Sequence, residues 1–462
     1  MIGRLAFRSL TAHPVRSAVL AAGFGVGVAV MAILLGVAEV VLDQARAPAL
    51  VGGGDVVIRL APQVPAHLVL SGTLQSNALR DRVRVAAPSD TARLYLVGGG
   101  RVSQVRARAG IPSLERALGD REVAAVEAWR DAPGDVAWTQ NAPENVLRSI
   151  DRFHPIPDAP AWGSSWAEWL YFNGRAEDVR FYLTFLVGPR REDGRRSADV
   201  RLQLERRGHA ENFNGSAAIT DAEALRAPDL TIGRSHVRLD GLRYRIHLDL
   251  RGRDGRPLTG DLSIQATPEP LLPPLEITGA RGWRTGYVVP VMSGSLDGEL
   301  NVAGNRVSLD GGTGYHDHNW GFWQGVSWQW GQVYHEDLSF IYGRIFPPPD
   351  AADRERMPGF VGGLGPDGPL GYATQVTITE TNDEHGQPRR ITVGARSSAL
   401  ELQLQFDVGS SITSRDVQGL LNNNLDFLQL RGQYTVSGRA GQRDIRFTAP
   451  GSAETFRHVS PP

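Results

Sequence analysis

The chain has 462 residues, enough for roughly two or three domains, each with its own hydrophobic core. Its 49 basic residues balance its 50 acidic residues, so there is no charge excess of the kind that gathers nucleic acid. Lysine and cysteine are both absent. Schiff-base catalysis, the lysine-dependent phosphate loop, thiol catalysis, thiolate metal sites and disulfides are therefore excluded.

An apolar, uncharged run of 22 residues occupies positions 17–38. As a helix it is about 33 Å long, which matches a hydrocarbon layer of about 30 Å. Arg4, Arg8 and Arg16 precede the run, whereas Glu39 and Asp43 follow it. This asymmetry predicts a cytoplasmic N-terminus at 1–16 and a single transmembrane helix at 17–42 in a bacterial inner membrane, with the bulk of the chain in the periplasm.

Cleavage of this segment as a signal peptide is the alternative, because Ala45, Arg46 and Ala47 fit the small-x-small cleavage pattern. The apolar run is longer than the usual signal-peptide core of about 7 to 15 residues, which favours a retained anchor. Both interpretations export the remainder of the chain.

A partner helix in the membrane is indicated by Gly23 and Gly27, which form a GxxxG pattern. Residues 8–57 resemble the first transmembrane stretch of bacterial ABC-exporter permeases. The resemblance implies an ABC transporter permease as a partner. A single span excludes transport by this chain alone.

Residues 43–150 combine short apolar runs with helical spacing at 112–129, which predicts a small mixed α/β stalk. After Phe153 the pattern becomes alternating and is interrupted by Gly, Asn, Asp and Pro, which is typical of antiparallel strands. The Pro-rich stretch 268–274 cannot lie in a central strand. We therefore expect two β domains, at 151–275 and 276–456.

Tryptophan is concentrated in two short windows of the predicted β region. Trp162, Trp166 and Trp169 form the first window, which we expect to seal the first β domain. The second window contains Trp320, Trp323, Trp328 and Trp330.

The second window opens with Gly-Tyr-His-Asp-His-Asn-Trp-Gly at 314–321. Strand alternation places His316, His318 and Trp320 on one face and Tyr315, Asp317 and Asn319 on the other. In the next strand, Trp328, Trp330 and Tyr334 share a face. The pattern predicts a barrel interior lined with aromatic rings, into which the two imidazoles project.

These motifs, with residues 168–173 and 288–294, resemble the carotenoid 1,2-hydratase (hydroxyneurosporene synthase) family and its secreted lipocalin-like, ABC-transporter-associated relatives. The resemblance covers roughly 151–456. It implies two consecutive lipocalin-like antiparallel β-barrels around an apolar pocket, and cofactor-independent addition of water to an isoprenoid double bond. The family's functional His and Trp fall on His318 and Trp320, and its Tyr falls on Tyr342. Gly343 and Arg344 stand where the hydratase branch has an acidic residue.

Alkene hydration requires an acid that protonates carbon and aromatic faces that stabilise the resulting cation. Asp317 is the expected proton donor, because an apolar environment keeps a carboxyl protonated. His318 orients this acid or activates water if a bulge brings the two together. Aromatic cation stabilisers are expected at Trp320, Trp328, Trp330 and Tyr342. The remaining expected ligand contacts are Tyr315, His316, Tyr334, Trp169 and Glu168.

Three alternatives stay open. In the first, the Trp and His residues of the octet close a barrel by packing and have no chemical role. In the second, the chain is a non-catalytic lipid-binding module of an ABC-type exporter, with an apolar lipid or isoprenoid as its ligand. A third interpretation makes His316 and His318, with His335 or Asp317, metal ligands, although the family resemblance implies neither a metal nor a cofactor.

Overall fold

The computed structural model describes residues 143–267, 272–366, 368–414 and 425–458, together with 82–98, 101–120 and short stretches elsewhere before 143. The chain divides into two compact units, one formed by Met1–Leu60 and Leu70–Thr139 and the other by Ala61–Val69 and Gln140–Pro462. The predicted membrane segment 17–42 lies outside the described residues. No helix among those described has the length and apolarity needed to cross a bilayer.

In the first unit, a hairpin precedes a short helix. Strands β1 (Ser89–Gly98) and β2 (Arg101–Gly110) pair antiparallel. Helix α1 (Pro112–Ala117) follows. Proline suits the first turn of this helix because the backbone N–H that it lacks has no partner there.

Eight described strands of the second unit close into an antiparallel barrel, which we call barrel 1. Its order is β10-β12-β14-β3-β4-β5-β6-β9, and β9 pairs back to β10. These strands are β3 (Trp166–Ala176), β4 (Val179–Arg190), β5 (Arg196–Arg206), β6 (His209–Ile219), β9 (Arg243–Gly252), β10 (Pro257–Gln265), β12 (Arg284–Val302) and β14 (Gly312–Phe322). Short flanking elements are α3 (Asp221–Ala224), β7 (Thr231–Ile232), β8 (Ser235–Asp240), β11 (Leu272–Thr278) and β13 (Asn305–Ser308).

Alternation along the strands fills barrel 1. On β4, Phe181, Leu183 and Phe185 are buried in its core, whereas Tyr182 and Thr184 face outwards. Helix α2 (Pro143–Ile150) adds its apolar face to the same core. The stretch that follows α2 carries residues 151–154 into the barrel region.

The sheets do not divide at the Pro-rich stretch. Strands β12 and β14 follow this stretch in sequence, yet they belong to barrel 1, because β12 pairs with β10 and β14 pairs with β3. Pro273 and Pro274 lie in β11, an edge strand whose pairing with β12 shifts register at that point. The change of sheet falls between Phe322 and Ser327, not near residue 275.

Nine further described strands form a second antiparallel sheet that curls into a nearly closed barrel, called barrel 2. The order is β18-β17-β16-β15-β23-β22-β21-β20-β19. These strands are β15 (Ser327–His335), β16 (Leu338–Phe346), β17 (Phe360–Gly365), β18 (Gly368–Ala373), β19 (Gln375–Asn382), β20 (Pro388–Arg396), β21 (Leu400–Ser414), β22 (Leu425–Ala440) and β23 (Arg443–His458). Phe340, Phe406 and Tyr434 are among the side chains that fill it.

The two barrels pack through their outer faces. A buried apolar cluster between them includes Tyr315, Met292 and Ile341. Glu205 of β5, which is almost fully buried, forms an ion pair with Arg431 of β22. The predicted fold class, mainly β with two antiparallel barrels, is confirmed. The outer faces of the two barrels border the space that is described below as a candidate site.

We expect a fragment of residues 140–326 to fold and one of residues 140–275 to remain unfolded. The shorter fragment lacks β12 and β14 and leaves the edges of β3 and β10 unpaired. Circular dichroism and urea unfolding measure the difference. Cooperative unfolding of the shorter fragment would show that barrel 1 does not need these two strands.

Candidate active site between the barrels

Strand β14 has two different faces because its pairing with β3 is unbroken. The register runs from Thr313 opposite Arg175 to Phe322 opposite Trp166 without a bulge. His316, His318 and Trp320 therefore point into barrel 1, and Asp317 and Asn319 point out towards barrel 2.

The interior face holds a hydrogen-bonded charge cluster. His318 Nε2 lies 2.9 Å from Glu168 Oε1, and its Nδ1 lies 3.3 Å from Asp151 Oδ1. His316 Nε2 lies 2.9 Å from Asp151 Oδ2. His154, at the partly exposed edge of the cluster, places its Nδ1 2.7 Å from Glu168 Oε1. Glu168 is thus paired, as a buried carboxylate must be, and its partners are histidines.

Opposite charges keep this cluster ionised. Burial opposes charge on Asp151 and Glu168, but the imidazoles outweigh it, so both carboxyl pKa values lie below their ordinary values. Burial also opposes the imidazolium, yet the two carboxylates raise the pKa of His318 to about 9. These groups form a fixed ion network inside barrel 1.

The metal set suggested by the sequence is not brought together. Asp317 lies on the opposite face from His318, and the His335 ring stacks on Phe447. The structure instead gathers His154, Glu168 and His318, whose ligand atoms lie within 4.8 Å of one another. In this arrangement Glu168 already accepts hydrogen bonds from both imidazoles.

A cavity of about 1080 Å³ lies against the outer face of barrel 1, just above the range of about 300–1,000 Å³ for sites that bind small molecules. Barrel 2 supplies its other wall through β15, β16, β17, β21, β22 and β23. Aromatic side chains contribute to both walls: Trp169, Tyr171, Tyr182, Phe213, Tyr287, Trp323, Trp328, Trp330, Phe360 and Phe427.

A chain of hydrogen bonds ends on Asp317 in the cavity wall. Trp330 Nε1 donates to Tyr287 Oη at 3.1 Å, and the Tyr287 and Tyr315 hydroxyls lie 2.8 Å apart. Tyr315 donates to Asp317 Oδ2 at 2.9 Å, and Asn319 Nδ2 donates to Oδ1 at 2.7 Å. Tyr287 must therefore donate to Tyr315, so the chain has one direction. These bonds fix the Asp317 carboxyl against the cavity.

Two carboxyls in this cavity favour the neutral form. Burial raises the pKa of Asp317 well above its usual range, and nearby Glu454 adds to the effect, whereas the hydrogen bond from Tyr315 opposes it. Burial raises the pKa of Glu454 to about 7, although Trp328 donates to it at 3.0 Å. Asp317 therefore holds its proton to a higher pH than an exposed carboxyl does, and Glu454 titrates near neutral pH.

Of the residues expected at the site from the sequence, four line this cavity: Asp317, Trp328, Trp330 and Trp169. Tyr315 lies behind Asp317 as its hydrogen-bond donor. Tyr334 lies with Tyr315 at a separate small cavity of about 80 Å³.

Other expected site residues face away. His316, His318, Trp320 and Glu168 belong to the interior of barrel 1, because they alternate with the cavity-facing positions. Tyr342 lies in the core of barrel 2, with its hydroxyl 3.4 Å from that of Tyr434. The bulge needed to bring His318 beside Asp317 is absent from the β14–β3 pairing, so the two side chains do not act on the same atoms.

Several site residues were not expected from the sequence. Glu454 is far from the Trp windows in sequence and reaches the cavity because β23 pairs with β15, which places it opposite Trp330. Tyr287 sits on β12 opposite Asn319. Asp151, in the interior cluster, immediately follows α2. Only the strand pairing reveals these neighbours.

Comparison with known proteins gives structural neighbours alone. No family model matches the chain, and no curated protein matches it. Kievitone hydratase from Nectria haematococca aligns with a TM-score of 0.44 and 12% identity, over 66% of this chain and 94% of that protein. A Nitrosomonas europaea protein assigned as AttH gives 0.41 and 15%, over 66% and 100%. CghA with Sch210972 gives 0.42 and 12%, over 69% and 96%. Similarity at this level assigns no activity.

Replacement of His318 by Asn should destabilise the protein by about 3–5 kcal/mol, because buried Asp151 and Glu168 lose their shared cation. The pKa of His318 is raised from 6.5 to about 9, so its stabilising contribution is complete below 6.5 and is lost as the pH rises through 9. Urea unfolding across this range should show a fall in stability for the wild type that is smaller in His318→Asn. His335→Asn, at a partly exposed histidine, is the control. Equal slopes in all three proteins would exclude a charged His318.

Glu454 should make the binding of an apolar probe depend on pH. A ligand that displaces water from this carboxyl favours its neutral form, so affinity should be constant below a pH of about 7 and then fall up to about tenfold per pH unit. Retinol titration, followed by quenching of tryptophan fluorescence, measures this. Glu454→Gln should flatten the profile, whereas Glu401→Gln at an exposed site should not. A flat wild-type profile is the opposing result.

Proposed function

We propose that this chain binds an apolar, unsaturated isoprenoid-type lipid between its barrels and adds water to one of its double bonds by acid catalysis, without a cofactor. The observation that carries the proposal is the position of the Asp317 carboxyl, which is buried in the cavity wall and hydrogen-bonded only by the uncharged Tyr315 and Asn319. An acid is useful at neutral pH only if it still holds its proton there, and burial favours this because it raises the pKa of Asp317 well above its usual range.

The reaction begins with transfer of the Asp317 proton to one alkene carbon. The π electron pair forms the new C–H bond and leaves a tertiary cation on the other carbon. The indole faces of Trp328 and Trp330 line the same cavity and stabilise this charge. Asp317 is left as a carboxylate.

Water completes the addition. Its oxygen attacks the cation and forms the C–O bond, and its surplus proton returns to the Asp317 carboxylate. The products are a tertiary alcohol and the regenerated acid. Asn319, which donates to Asp317 and also lines the cavity, supplies an amide that holds this water beside the acid.

The interior histidines have a supporting role in this scheme. His318 lies on the opposite face of β14, so it holds Glu168 and Asp151 and fixes the strand while Asp317 transfers the proton. In this scheme the expected roles of Asp317, Trp328 and Trp330 are kept, whereas His318, Trp320 and Tyr342 do not act on the substrate.

A non-catalytic lipid-binding module beside an ABC-type exporter is the second proposal, because the same cavity would hold a lipid without reaction. Its support is the apolar run at 17–38 and the GxxxG at Gly23 and Gly27. Both proposals place the barrels at the outer face of a bacterial inner membrane. They differ in whether Asp317 delivers its proton.

Asp317→Asn should lower the rate of hydration by about 100-fold or more, the scale of general acid catalysis. The purified protein is incubated with squalene or an acyclic carotenoid in heavy-oxygen water, and the label is sought in a tertiary alcohol by mass spectrometry. Retinol binding, followed by tryptophan quenching, should persist in the variant because the amide is nearly isosteric with the carboxyl.

Asp261→Asn, at an exposed aspartate outside the cavity, is the control and should retain the activity. Tight retinol binding without label in the wild type would support the binding module over the enzyme. Unchanged labelling in Asp317→Asn would remove Asp317 from the mechanism.

A further inference from the structure

One row of directly paired residues crosses the cavity wall of barrel 1. Asp317 of β14 pairs with Tyr171 of β3, Tyr171 with Thr184 of β4, and Thr184 with Arg201 of β5. All four residues line the cavity. Because cross-strand partners share a face of the sheet, the proton donor and the guanidinium stand at opposite ends of one line.

The environment changes from dry to wet along this row. Asp317 is only 4% exposed, and Tyr171 is 9% exposed. Thr184 is half-buried, and the Arg201 side chain is 44% exposed. Asn214 of β6, the next residue in the row, is exposed as well. The β5–β6 end is therefore the mouth of the cavity, and the β14 end is its interior.

The charges at the mouth favour an anion. Arg201 lines the cavity there, and Asp199, which also lines the cavity, lies beside it. The contact from Arg201 to Asp199 is long, 3.5 Å, and exposed, so it contributes little. In the interior, burial raises the pKa of Asp317 well above its usual range and the pKa of Glu454 to about 7, which reduces the negative charge there.

We propose that the ligand is an amphipathic anion, an apolar chain that ends in a carboxylate, which binds with its head group on Arg201 at the mouth and its tail on the aromatic interior. The planar guanidinium fork matches a carboxylate with two parallel hydrogen bonds. The assignment of the head group concerns binding alone. It depends on the proposed function only in one respect, the identification of the double bond that reacts.

The row also sets the distance between the carboxylate and the reacting double bond of the ligand. Neighbouring strands lie about 4.8 Å apart, so the three spacings from β5 to β14 amount to about 14 Å along the sheet. A chain whose double bond lies about this distance from its carboxylate reaches Asp317 when its head group is on Arg201. Shorter acids bind at the mouth without presenting an alkene to the acid.

Retinoic acid and retinol test the proposal, because they share a chain and differ in the head group. Quenching of tryptophan fluorescence in the full-length protein gives both dissociation constants. The wild type should bind the acid about tenfold more tightly than the alcohol, as expected for one charge-assisted contact near solvent. Arg201→Gln should remove this preference and leave retinol binding unchanged.

Two further variants make the result specific. Arg245→Gln, at an exposed arginine of β9 outside the cavity, should keep the preference for the acid. Arg344→Gln tests the guanidinium on the barrel 2 side of the cavity. Loss of the preference in Arg344→Gln but not in Arg201→Gln, or equal affinity of the wild type for acid and alcohol, would overturn the proposal.

Asp317→Asn separates this inference from the proposed function. It should keep the preference for retinoic acid even though it loses hydration. A wild-type protein that prefers the acid but forms no tertiary alcohol would disprove the enzyme and leave the head-group site intact. Hydration by a wild-type protein that shows no preference for the acid would support the enzyme and disprove the head-group site.

Discussion

The continuous pairing of β14 with β3 determines both the core of barrel 1 and the wall of the cavity. Because side chains alternate along a strand, a shift of one residue would turn His316 and His318 into the cavity and Asp317 into the core. The ion network inside barrel 1 opposes such a shift. Asp151 and Glu168 hold the imidazoles at hydrogen-bonding distance, and burying these carboxylates without their partners would be costly.

The two faces of this strand place carboxyl groups in environments that shift their pKa values in opposite directions. Glu168 stays ionised because imidazoles surround it, despite its complete burial. Asp317 is buried to nearly the same degree, but its hydrogen-bond donors are the uncharged Tyr315 and Asn319, so burial dominates its pKa. The contrast shows how the local environment shifts the pKa values of two carboxyl groups on one strand pair in opposite directions.

The sequence predicted the fold class because period-two alternation is a local property of the chain. It also predicted the faces of the octet, since a strand without a bulge leaves no choice. Which face points into barrel 1 and which points towards the cavity depended on long-range strand pairing. The imidazoles and Asp317 were both expected at the ligand, whereas the structure places only Asp317 in the cavity wall.

The position of the domain boundary and the identity of Glu454 were beyond local patterns. Proline marks the Pro-rich stretch as unsuited to a central strand, but it does not reveal that β12 and β14 return to close barrel 1. Glu454 joins the site only through the pairing of β23 with β15. The row from Asp317 to Arg201 likewise spans four strands and becomes visible only in the register.

The protonation state of Asp317 is most directly measured by infrared difference spectroscopy between the wild type and Asp317→Asn, with carbon-13-labelled aspartate. The spectra are recorded at a pH above 7, where Glu454 is mostly ionised. A labelled C=O stretch of a neutral carboxylic acid that disappears in the variant is the predicted result. Carboxylate bands alone in the wild type would contradict a neutral acid in the cavity, and with it the proposed chemistry.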